Sequence, residues 1–280
     1  METITNELTR PEQDQFLVNT HFAAAAQYWN DVYADETVSG AIYRQRQKAV
    51  LRWLEELPIS REDKALDLGC GAGLFTVALA EYGWRVHAID AVDAMLKQTS
   101  ALACTRGFQE RVSVQLGDAH NLSFPDSSFS LVLAIGIAPW LHSLSQALDE
   151  IYRVLKPGGH LIITGDNSRR LSYWLDPRFF PLHASLRVRV GKLLRKFGMR
   201  EQPHAYMYPV CRFDRYLHCA GFAKLKSETL GYGPFTCFEH PLFSQRVGIS
   251  LDRRLKNLSA HSSILRSLGS QYLVLGQKLR

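Results

Sequence analysis

The apolar positions of this chain first follow a helical spacing and then alternate between strand and helix patterns. Residues 21–57 predict two helices. In the second, the apolar residues that recur on one face are Val50, Trp53, Leu54 and Leu57. From residue 64 onward the predicted strands are 64–68, 85–89, 112–116, 129–135 and 160–164, and the predicted helices are 73–82, 93–104 and 143–154. This alternation predicts a parallel sheet covered by helices on both faces, with ligands bound beyond the carboxyl ends of its strands.

Two parts of the chain depart from this alternation. Residues 1–20 show no clear pattern. After the fifth strand, a predicted helix ends at Gly221, and two more strands follow. These elements are 208–220, 222–230 and 271–277. The segments 169–205 and 234–268 lie outside the predicted elements and are interpreted as insertions.

A glycine-rich turn follows the first predicted strand. Residues 65–75 read Ala-Leu-Asp-Leu-Gly-Cys-Gly-Ala-Gly-Leu-Phe, so Asp67 precedes glycines at every second position. Glycine lacks a Cβ and lets a ligand approach the backbone, and the following helix offers free N–H groups. Leu74 stands where a dinucleotide turn has its third glycine, and the Gly-Lys-Ser/Thr of a phosphate loop is absent from the sequence. The turn therefore predicts a nucleotide-type site of a different class.

Four further segments follow this turn in a consistent order. They are a strand ending at Asp90, a strand ending at Gly117-Asp118-Ala119, the buried strand 129–135, and the helix–turn–strand pattern of 150–164. Asp90 lies 23 residues after Asp67, a spacing at which a strand–helix–strand unit places a carboxylate against ribose hydroxyls. Together with the turn D-x-G-x-G-x-G, these segments resemble the class I methyltransferases that use S-adenosylmethionine (SAM). The resemblance covers residues 65–165 and is to the small-molecule (type 11, UbiE-like) branch.

The resemblance implies an α/β fold with a Rossmann-like, seven-stranded, mostly parallel sheet in the order 3-2-1-4-5-7-6, with helices on both faces. The predicted strands 222–230 and 271–277 would supply its antiparallel closing hairpin. We expect a single domain in three parts. Residues 1–57 are N-terminal helices closing over the cofactor, 58–168 are the SAM-binding core, and 169–280 complete the sheet and carry the cap insertions 169–205 and 234–268.

The resemblance also assigns the residues that contact SAM and its product, S-adenosylhomocysteine (SAH). Asp67 holds the amino end, Asp90 accepts from both ribose hydroxyls, and Asp118 contacts the adenine amino group. Tyr28, Trp29 and Tyr33 lie in an N-terminal helix that often closes over SAM in this family, where they would shield the sulfonium or touch the acceptor. The alternative is that these rings only pack on an apolar helix face. The remaining expected contacts are Gly69, Cys70, Gly71, Ala91, Ala119, Ala134 and Ile135. Packing of a small residue explains Cys70 better than a catalytic thiol does. Methyl transfer requires no metal in principle, and the sequence shows no carboxylate cluster for one.

The acceptor side is less defined. Residues 134–140 read Ala-Ile-Gly-Ile-Ala-Pro-Trp, where amide and nucleobase N-methyltransferases carry Asn/Asp-Pro-Pro-Tyr/Phe, so nucleobase amines and protein glutamine are disfavoured. His142 is a candidate general base for a hydroxyl acceptor. The alternative is that it caps the next helix or bonds a backbone carbonyl. A hydrophobic small-molecule or lipid-like acceptor is favoured, with oxygen slightly preferred as the methylated atom.

Charge divides the chain into two unlike halves. Residues 1–168 contain 13 Lys and Arg against 21 Asp and Glu, whereas residues 169–280 contain 20 against 6. The basic half holds two amphipathic stretches, 183–197 and 246–258. Each predicts either a helix lying on an anionic membrane or a cap helix covering the pocket. An RNA methyltransferase and a non-catalytic SAM-fold protein remain alternatives, and nucleic acid is disfavoured because no RNA-binding module is visible.

The sequence also bears on the cellular location. No run of apolar residues is long enough to span a membrane, and residues 1–7 are polar and acidic rather than typical of a secretion signal. The five cysteines are odd in number and form no C-x-x-C pair. We expect a cytoplasmic protein, with peripheral attachment to the inner face of the membrane as the alternative.

Overall fold

Seven strands form one sheet in the computed structural model, which describes residues 10–179, 203, 205–238 and 240–279. In chain order the strands of the whole fold are β1 (Lys64–Leu68), β2 (Arg85–Asp90), β3 (Val112–Leu116), β4 (Phe129–Ala134), β5 (Leu155–Asp166), β6 (Phe222–Leu230), β7 (Thr236–Cys237), β8 (His240–Pro241) and β9 (Gln271–Lys278). The sheet order is β3-β2-β1-β4-β5-β9-β6, and β7 pairs with β8 in a separate ribbon. β9 is the seventh strand of the sheet along the chain, so the predicted order 3-2-1-4-5-7-6 is confirmed.

Strands β1 to β5 are parallel, and β9 runs antiparallel to both β5 and β6. The helices are α1 (Arg10–Ala24), α2 (Ala26–Asp31), α3 (Val38–Glu56), α4 (Leu74–Glu81), α5 (Asp93–Thr105), α6 (Leu144–Val154), α7 (Leu171–Leu175), α8 (Val210–Cys219), α9 (Gln245–Ser259) and α10 (Ser263–Arg266). A short 3₁₀ turn covers Ala138–Trp140. The predicted strands and core helices agree with these bounds to within a few residues, apart from the start of β5.

Helix α1 lies partly in the segment where the sequence showed no pattern. Its described side chains do not form a simple apolar stripe, because Phe16 is 62% exposed while Val18 is buried. Gln15 and Asn19 face a cavity rather than an apolar core. Polar residues on the inward side obscure the periodicity on which the prediction depends.

The core lies on both faces of the sheet. On one face, α6 packs Ala147, Leu148 and Ile151 against β4 and β5. On the other, α3 contributes the four predicted positions Val50, Trp53, Leu54 and Leu57, which are all buried. Burying one such side chain contributes about 1.5–3 kcal/mol, so this face of α3 fixes the helix firmly on the sheet. The rest of α3 is thereby held over the carboxyl ends of the strands.

Strand β5 is longer than predicted at both ends. The antiparallel partner β9 pairs with it from His160↔Gln277 to Asp166↔Gln271. These pairs extend β5 two residues past the predicted end at 164 and carry Asp166 beyond the edge of the parallel strands. The extension depends on a strand that follows more than one hundred residues later, so the local sequence does not indicate it.

Helix α9 covers the second predicted amphipathic stretch, 246–258, but its apolar stripe does not face inward. The buried residues are Gly248, Asp252 and Ser259, whereas Val247 is 51% and Leu258 57% exposed. Gly248 allows close contact with α3, since a Cβ there would lie 2.7 Å from Val38 Cγ2. The Asp252 carboxylate accepts hydrogen bonds from Gln45 Nε2 at 2.7 Å and from the Tyr232 backbone N–H at 2.6 Å.

The inward side of α9 is therefore small and polar. None of its residues lines the main cavity, so α9 does not cap the pocket. The other stretch, 183–197, lies outside the described residues. Within the described part of the chain, no helix combines the length and apolar character that crossing a bilayer requires.

Candidate active site

A large cavity lies beyond the carboxyl ends of β1, β2, β3, β4 and β5. Its volume is about 200 Å³, several times the roughly 30 Å³ share of one water molecule in the liquid. The predicted cofactor residues that line it are Asp67, Gly69, Cys70, Gly71, Asp90, Ala91, Asp118, Ala119 and Ile135. Three other predicted residues do not line it. Ala134 is fully buried within β4, Tyr28 is 50% exposed, and His142 lies beside His120.

The glycine turn gives the cavity its floor. Gly71 has a φ of +55°, and a Cβ built on it would meet no atom within 4 Å, so its backbone faces open space. Gly73 has a φ of +87°, and a Cβ there would lie 2.8 Å from the Thr99 Cα. Only glycine adopts this backbone conformation without strain and lets α4 and α5 pack this closely. Glycine at position 71 therefore leaves the backbone accessible to a ligand, and glycine at position 73 allows the two helices to pack closely.

Asp67 is a buried carboxyl group below this turn. It is 2% exposed, and its Oδ2 accepts a hydrogen bond from the Thr76 hydroxyl at 2.5 Å. Burial, and to a lesser extent the charge of Asp90, raise the pKa of Asp67 to about 7. Burial also raises the pKa of the neighbouring Cys70 thiol, which therefore stays protonated near neutral pH. This environment supports a packing role for Cys70, since nucleophilic chemistry requires the thiolate.

The second carboxylate, Asp90, is held by backbone donors. Its Oδ2 accepts from the Gly71 N–H at 2.9 Å and its Oδ1 from the Val92 N–H at 3.0 Å. Each carboxylate oxygen has a further lone pair that can accept from a ligand. Burial raises the pKa of Asp90, and these backbone donors oppose the rise. The bond to Gly71 means that the same carboxylate also fixes the shape of the glycine turn.

The third carboxylate, Asp118, lies next to two histidines. Asp118 Oδ1 accepts from the His120 backbone N–H at 2.9 Å and lies 2.7 Å from His120 Nδ1. His120 Nε2 accepts from the Ser143 N–H at 3.3 Å, which places the ring proton on Nδ1, facing Asp118. The His142 ring stacks on His120 with centroids 3.6 Å apart. His142 thus lies over the face of the His120 ring rather than in the cavity lining, and its role as a general base stays a prediction.

A cluster of polar side chains at the opposite end of the cavity was not predicted. Arg46 is 5% exposed, its Nη2 donates to the Tyr33 hydroxyl at 2.6 Å, and its guanidinium lies 4.6 Å from the centroid of the Tyr43 ring. Its Nε has no hydrogen-bond partner among the described residues. Burial raises the pKa of Tyr43 to about 12, so this hydroxyl stays neutral. Asp166 and Gln271 complete the polar lining.

Arg46 had a signal that could have found it. It lies four residues before Val50 on the buried stripe of α3, where an unpaired charge is costly. A charged residue on an apolar helix face is therefore a reason to expect a ligand or a buried partner there.

Aromatic rings close the cavity over the sheet. Phe22 of α1 stacks on Trp29 at 5.5 Å and meets Trp140 edge to face at 5.0 Å. All three rings line the cavity. Trp29 Nε1 is buried and has no hydrogen-bond partner among the described residues. These three rings therefore present an apolar surface to the cavity, apart from the Trp29 N–H group.

Comparison with known proteins finds a family model and several relatives that resemble this chain. Residues 66–163 match the family model described as "Methyltransferase domain". Norajmaline N-methyltransferase of Rauvolfia serpentina is 29% identical over 192 residues, covering 65% of this chain and 60% of that protein. Demethylmenaquinone methyltransferase of Symbiobacterium thermophilum is 29% identical over 157 residues, covering 55% of this chain and 62% of that protein. The chain thus spans about three fifths of the length of these relatives.

Solved structures show the same fold at low sequence identity. Magnesium protoporphyrin IX methyltransferase from Synechocystis PCC 6803, with bound SAH, superposes with a TM-score of 0.64 at 13% identity, covering 95% of this chain and 99% of that one. The cyclase SpnF superposes with a TM-score of 0.61 at 15% identity, covering 94% and 95%. Because one of these neighbours is named as a cyclase, the fold alone does not specify the reaction.

Proposed function

We propose that this protein is an enzyme that transfers a methyl group from SAM to a hydrophobic small molecule, and the match of residues 66–163 to the methyltransferase-domain model supports this. The observation that carries the proposal is the convergence of Asp67, Asp90 and the glycine turn in one cavity with Arg46, whose Nε has no partner among the described residues. Of the relatives named above, one is named as an N-methyltransferase and the other is named for demethylmenaquinone. The proposal therefore covers more than one acceptor atom.

The residues present fit SAM. Arg46 is a buried cation whose Nε lacks a partner, and a ligand carboxylate such as that of the methionine portion would satisfy it. Asp67 lies where the amino group would be held, and both oxygens of Asp90 can accept from the ribose hydroxyls. When bound, SAM supplies a methyl group already activated by its positive sulfur.

The chain's own contribution to the reaction is to hold the reactants and exclude water. Backbone donors fix Asp90, and Arg46 is fixed by Tyr33, so both charges are in place before a ligand arrives. The rings of Phe22, Trp29 and Trp140 cover the opening and favour an apolar acceptor. A preference for oxygen rests on His142, which does not line the cavity, so amine acceptors are included on equal terms.

The first test is calorimetric titration of the purified protein with SAM, SAH and NAD. We expect micromolar binding of SAM and SAH and no binding of NAD. Isotope-labelled SAM then reports methyl transfer to phenols, quinols, lipids and amines. A protein that binds neither SAM nor SAH would contradict the proposal.

A membrane surface is the second partner that we propose. The outer face of α9 presents the exposed side chains of Val247 and Leu258, flanked by the exposed Arg246, Arg253 and Arg254. Phe238, Leu242 and Phe243, just before this helix, are also exposed. Apolar side chains among arginines, on a helix whose buried side is polar, are suited to the headgroup region of an anionic bilayer.

Vesicle flotation tests this surface. We expect the protein to float with vesicles containing phosphatidylglycerol and to stay below with phosphatidylcholine alone. The double variant Arg253→Ala with Arg254→Ala should lose flotation, because each basic residue near the surface contributes about 1 kcal/mol. The matched control removes two exposed cations, Lys97 in α5 and Arg106 directly after it. Equal loss in both double variants, or RNA binding with a steep salt dependence instead, would contradict a membrane role.

A further inference from the structure

One carboxylate that lines the cavity, Asp166, has no role in the proposed function so far. Asp166 is the last residue of β5, and its antiparallel partner is Gln271, the first residue of β9. Residues directly opposite each other in an antiparallel pair project from the same face of the sheet. Both line the cavity, at the end away from the glycine turn and Asp118. Asp166 and Gln271 therefore form a pair of neighbouring hydrogen-bond acceptors.

Neither acceptor is satisfied within the described residues. The nearest cation to Asp166 is Arg170, with Nη2 3.8 Å from Oδ2, which is too long for a hydrogen bond. Arg170 Nη2 instead donates to the Tyr173 hydroxyl at 3.1 Å. Gln271 Oε1 is buried and has no donor among the residues that the structure describes. A buried acceptor without a donor is costly, and this applies to Gln271 Oε1. The Asp166 carboxylate beside it is partly accessible and accepts no hydrogen bond from the described residues, so a ligand in the cavity can donate to both.

The electrostatic setting suits a proton acceptor. About 30% of the Asp166 side chain is accessible, and the cavity is among the surfaces it faces. Burial raises the pKa of Asp166, while the charges of Arg170 and Arg46 oppose that rise. A carboxylate with a raised pKa takes up a proton more readily at neutral pH than an exposed one does.

The number of open acceptors distinguishes between ligand types. A hydroxyl donates one hydrogen bond and can satisfy only one of the two acceptors. An amine that carries two or more hydrogens can donate to Asp166 and Gln271 together. Apolar rings from α1 and α2 cover the same cavity, so the amine would be carried on a hydrophobic body.

We infer that the methyl acceptor is a hydrophobic amine, and that Asp166 binds its nitrogen and takes the proton released on methylation. The inference rests on the proposed function. The neutral amine nitrogen forms the new N–C bond as the C–S bond breaks, with the electron pair of that bond left on sulfur. The resulting methylammonium gives one proton to the Asp166 carboxylate, so charge and atoms balance without a further reactant.

The test uses three molecules with one shared body: phenethylamine, 2-phenylethanol and ethylbenzene. Each is titrated by calorimetry into the protein saturated with SAH, and methyl transfer is then measured with SAM. We expect phenethylamine to bind at least tenfold more tightly than ethylbenzene, as a charge-assisted hydrogen bond would provide. In Asp166→Asn the advantage should disappear and methyl transfer should fall about 100-fold, while the SAH dissociation constant changes less than twofold.

The matched control is Asp93→Asn, which removes a carboxylate that is 67% exposed on α5 and should change none of these values. Equal binding of the three molecules by the unmodified protein overturns the inference and requires no variant. If only 2-phenylethanol binds more tightly than ethylbenzene, the inference that the acceptor is an amine is overturned. A comparable loss of SAH binding in Asp166→Asn would show that this residue serves the cofactor. If the unmodified protein binds neither SAM nor SAH, in contrast, the proposed function itself is contradicted.

Discussion

The two ends of the cavity are built in different ways. At the end formed by the glycine turn and Asp90, polar groups are bonded to the backbone of neighbouring segments, as in the bonds from the Gly71 and Val92 N–H groups. At the end formed by Arg46, Asp166 and Gln271, the side chains come from three distant parts of the chain, and Arg46 Nε and Gln271 Oε1 have no hydrogen-bond partner among the described residues. At the first end, these polar groups already have hydrogen-bond partners within the protein. At the second end, some polar atoms gain a partner only when a ligand binds. Changes at the first end should therefore affect folding and cofactor binding. At the second end, changes of Arg46 should affect cofactor binding, and changes of Asp166 and Gln271 should affect acceptor selection.

The largest expected effect is at the first end. Gly73→Ala should lower the free energy of unfolding by about 2–5 kcal/mol, because the left-handed conformation costs about 1–2 kcal/mol and overpacking about 1–3 kcal/mol. The added methyl group would lie 2.8 Å from Thr99 Cα, where the backbone of α5 cannot yield easily. Chemical denaturation measures the loss. The control is Gly107→Ala, which shares a positive φ but meets no atom within 4 Å and should lose only the conformational part.

The next effect concerns the ribose contact. Asp90→Ala should weaken SAH binding by about tenfold to a hundredfold, because a charge-assisted contact worth about 1.5–3 kcal/mol is lost. The Gly71 N–H loses its acceptor in the same variant, so some loss of stability should accompany it. Calorimetry and thermal unfolding separate the two effects. Unchanged SAH affinity would mean that Asp90 does not contact the ribose.

A third effect depends on pH. Asp67 has a pKa of about 7 in the folded protein, against an ordinary value of 3.8, so the folded state holds a proton that the unfolded state releases. Its contribution to stability is therefore present below about pH 4 and is lost as the pH rises to about 7. The ammonium group of SAH favours the ionised form, so binding should release a proton below pH 7.

We expect SAH affinity to fall by up to tenfold for each pH unit below 7 and to level off above it. Titration in buffers of different ionisation enthalpy measures the released proton directly. In Asp67→Asn both the proton release and this slope should disappear. An unchanged slope in that variant would assign the pH dependence to another group.

The smallest effect is expected at the second end. Trp29→Phe removes an indole N–H that has no partner among the described residues and leaves an aromatic ring against Phe22. Stability and SAH affinity should change by less than about 0.5 kcal/mol. Acceptor binding is the property that should respond, measured with the three phenethyl compounds. A large loss of stability would show that this end is also complete without a ligand.

The same division explains what the sequence could predict. Asp67 and Asp90 follow consecutive parallel strands, and the topology alone brings the ends of such strands to one edge of the sheet. Arg46 was missed because it interrupts an otherwise apolar stripe without altering the helix prediction. Asp166 was missed because the local pattern ends β5 at residue 164, and only the pairing with β9 extends it.

Helix α9 shows the limit of a periodicity argument. Its apolar stripe predicted a buried or membrane-facing side, and the periodicity did not indicate which. The buried side instead consists of Gly248, Asp252 and Ser259, since hydrogen bonds to the carboxylate and close backbone contact replace apolar burial. Such contacts depend on segments distant in the chain, which the local sequence does not reveal.

The buried carboxylate of Asp252 has a mechanical consequence. It holds Gln45 and the backbone of residues 232–233, and Gln245 of α9 also accepts from the Val38 N–H at 2.9 Å, so α9 and α3 move together. Gln45 is followed directly by Arg46, so these hydrogen bonds connect α9, the helix of the proposed membrane surface, to a residue that lines the cavity. Binding at the two sites is then thermodynamically reciprocal. If a bound surface raises the affinity for SAM by some factor, bound SAM must raise the affinity for that surface by the same factor.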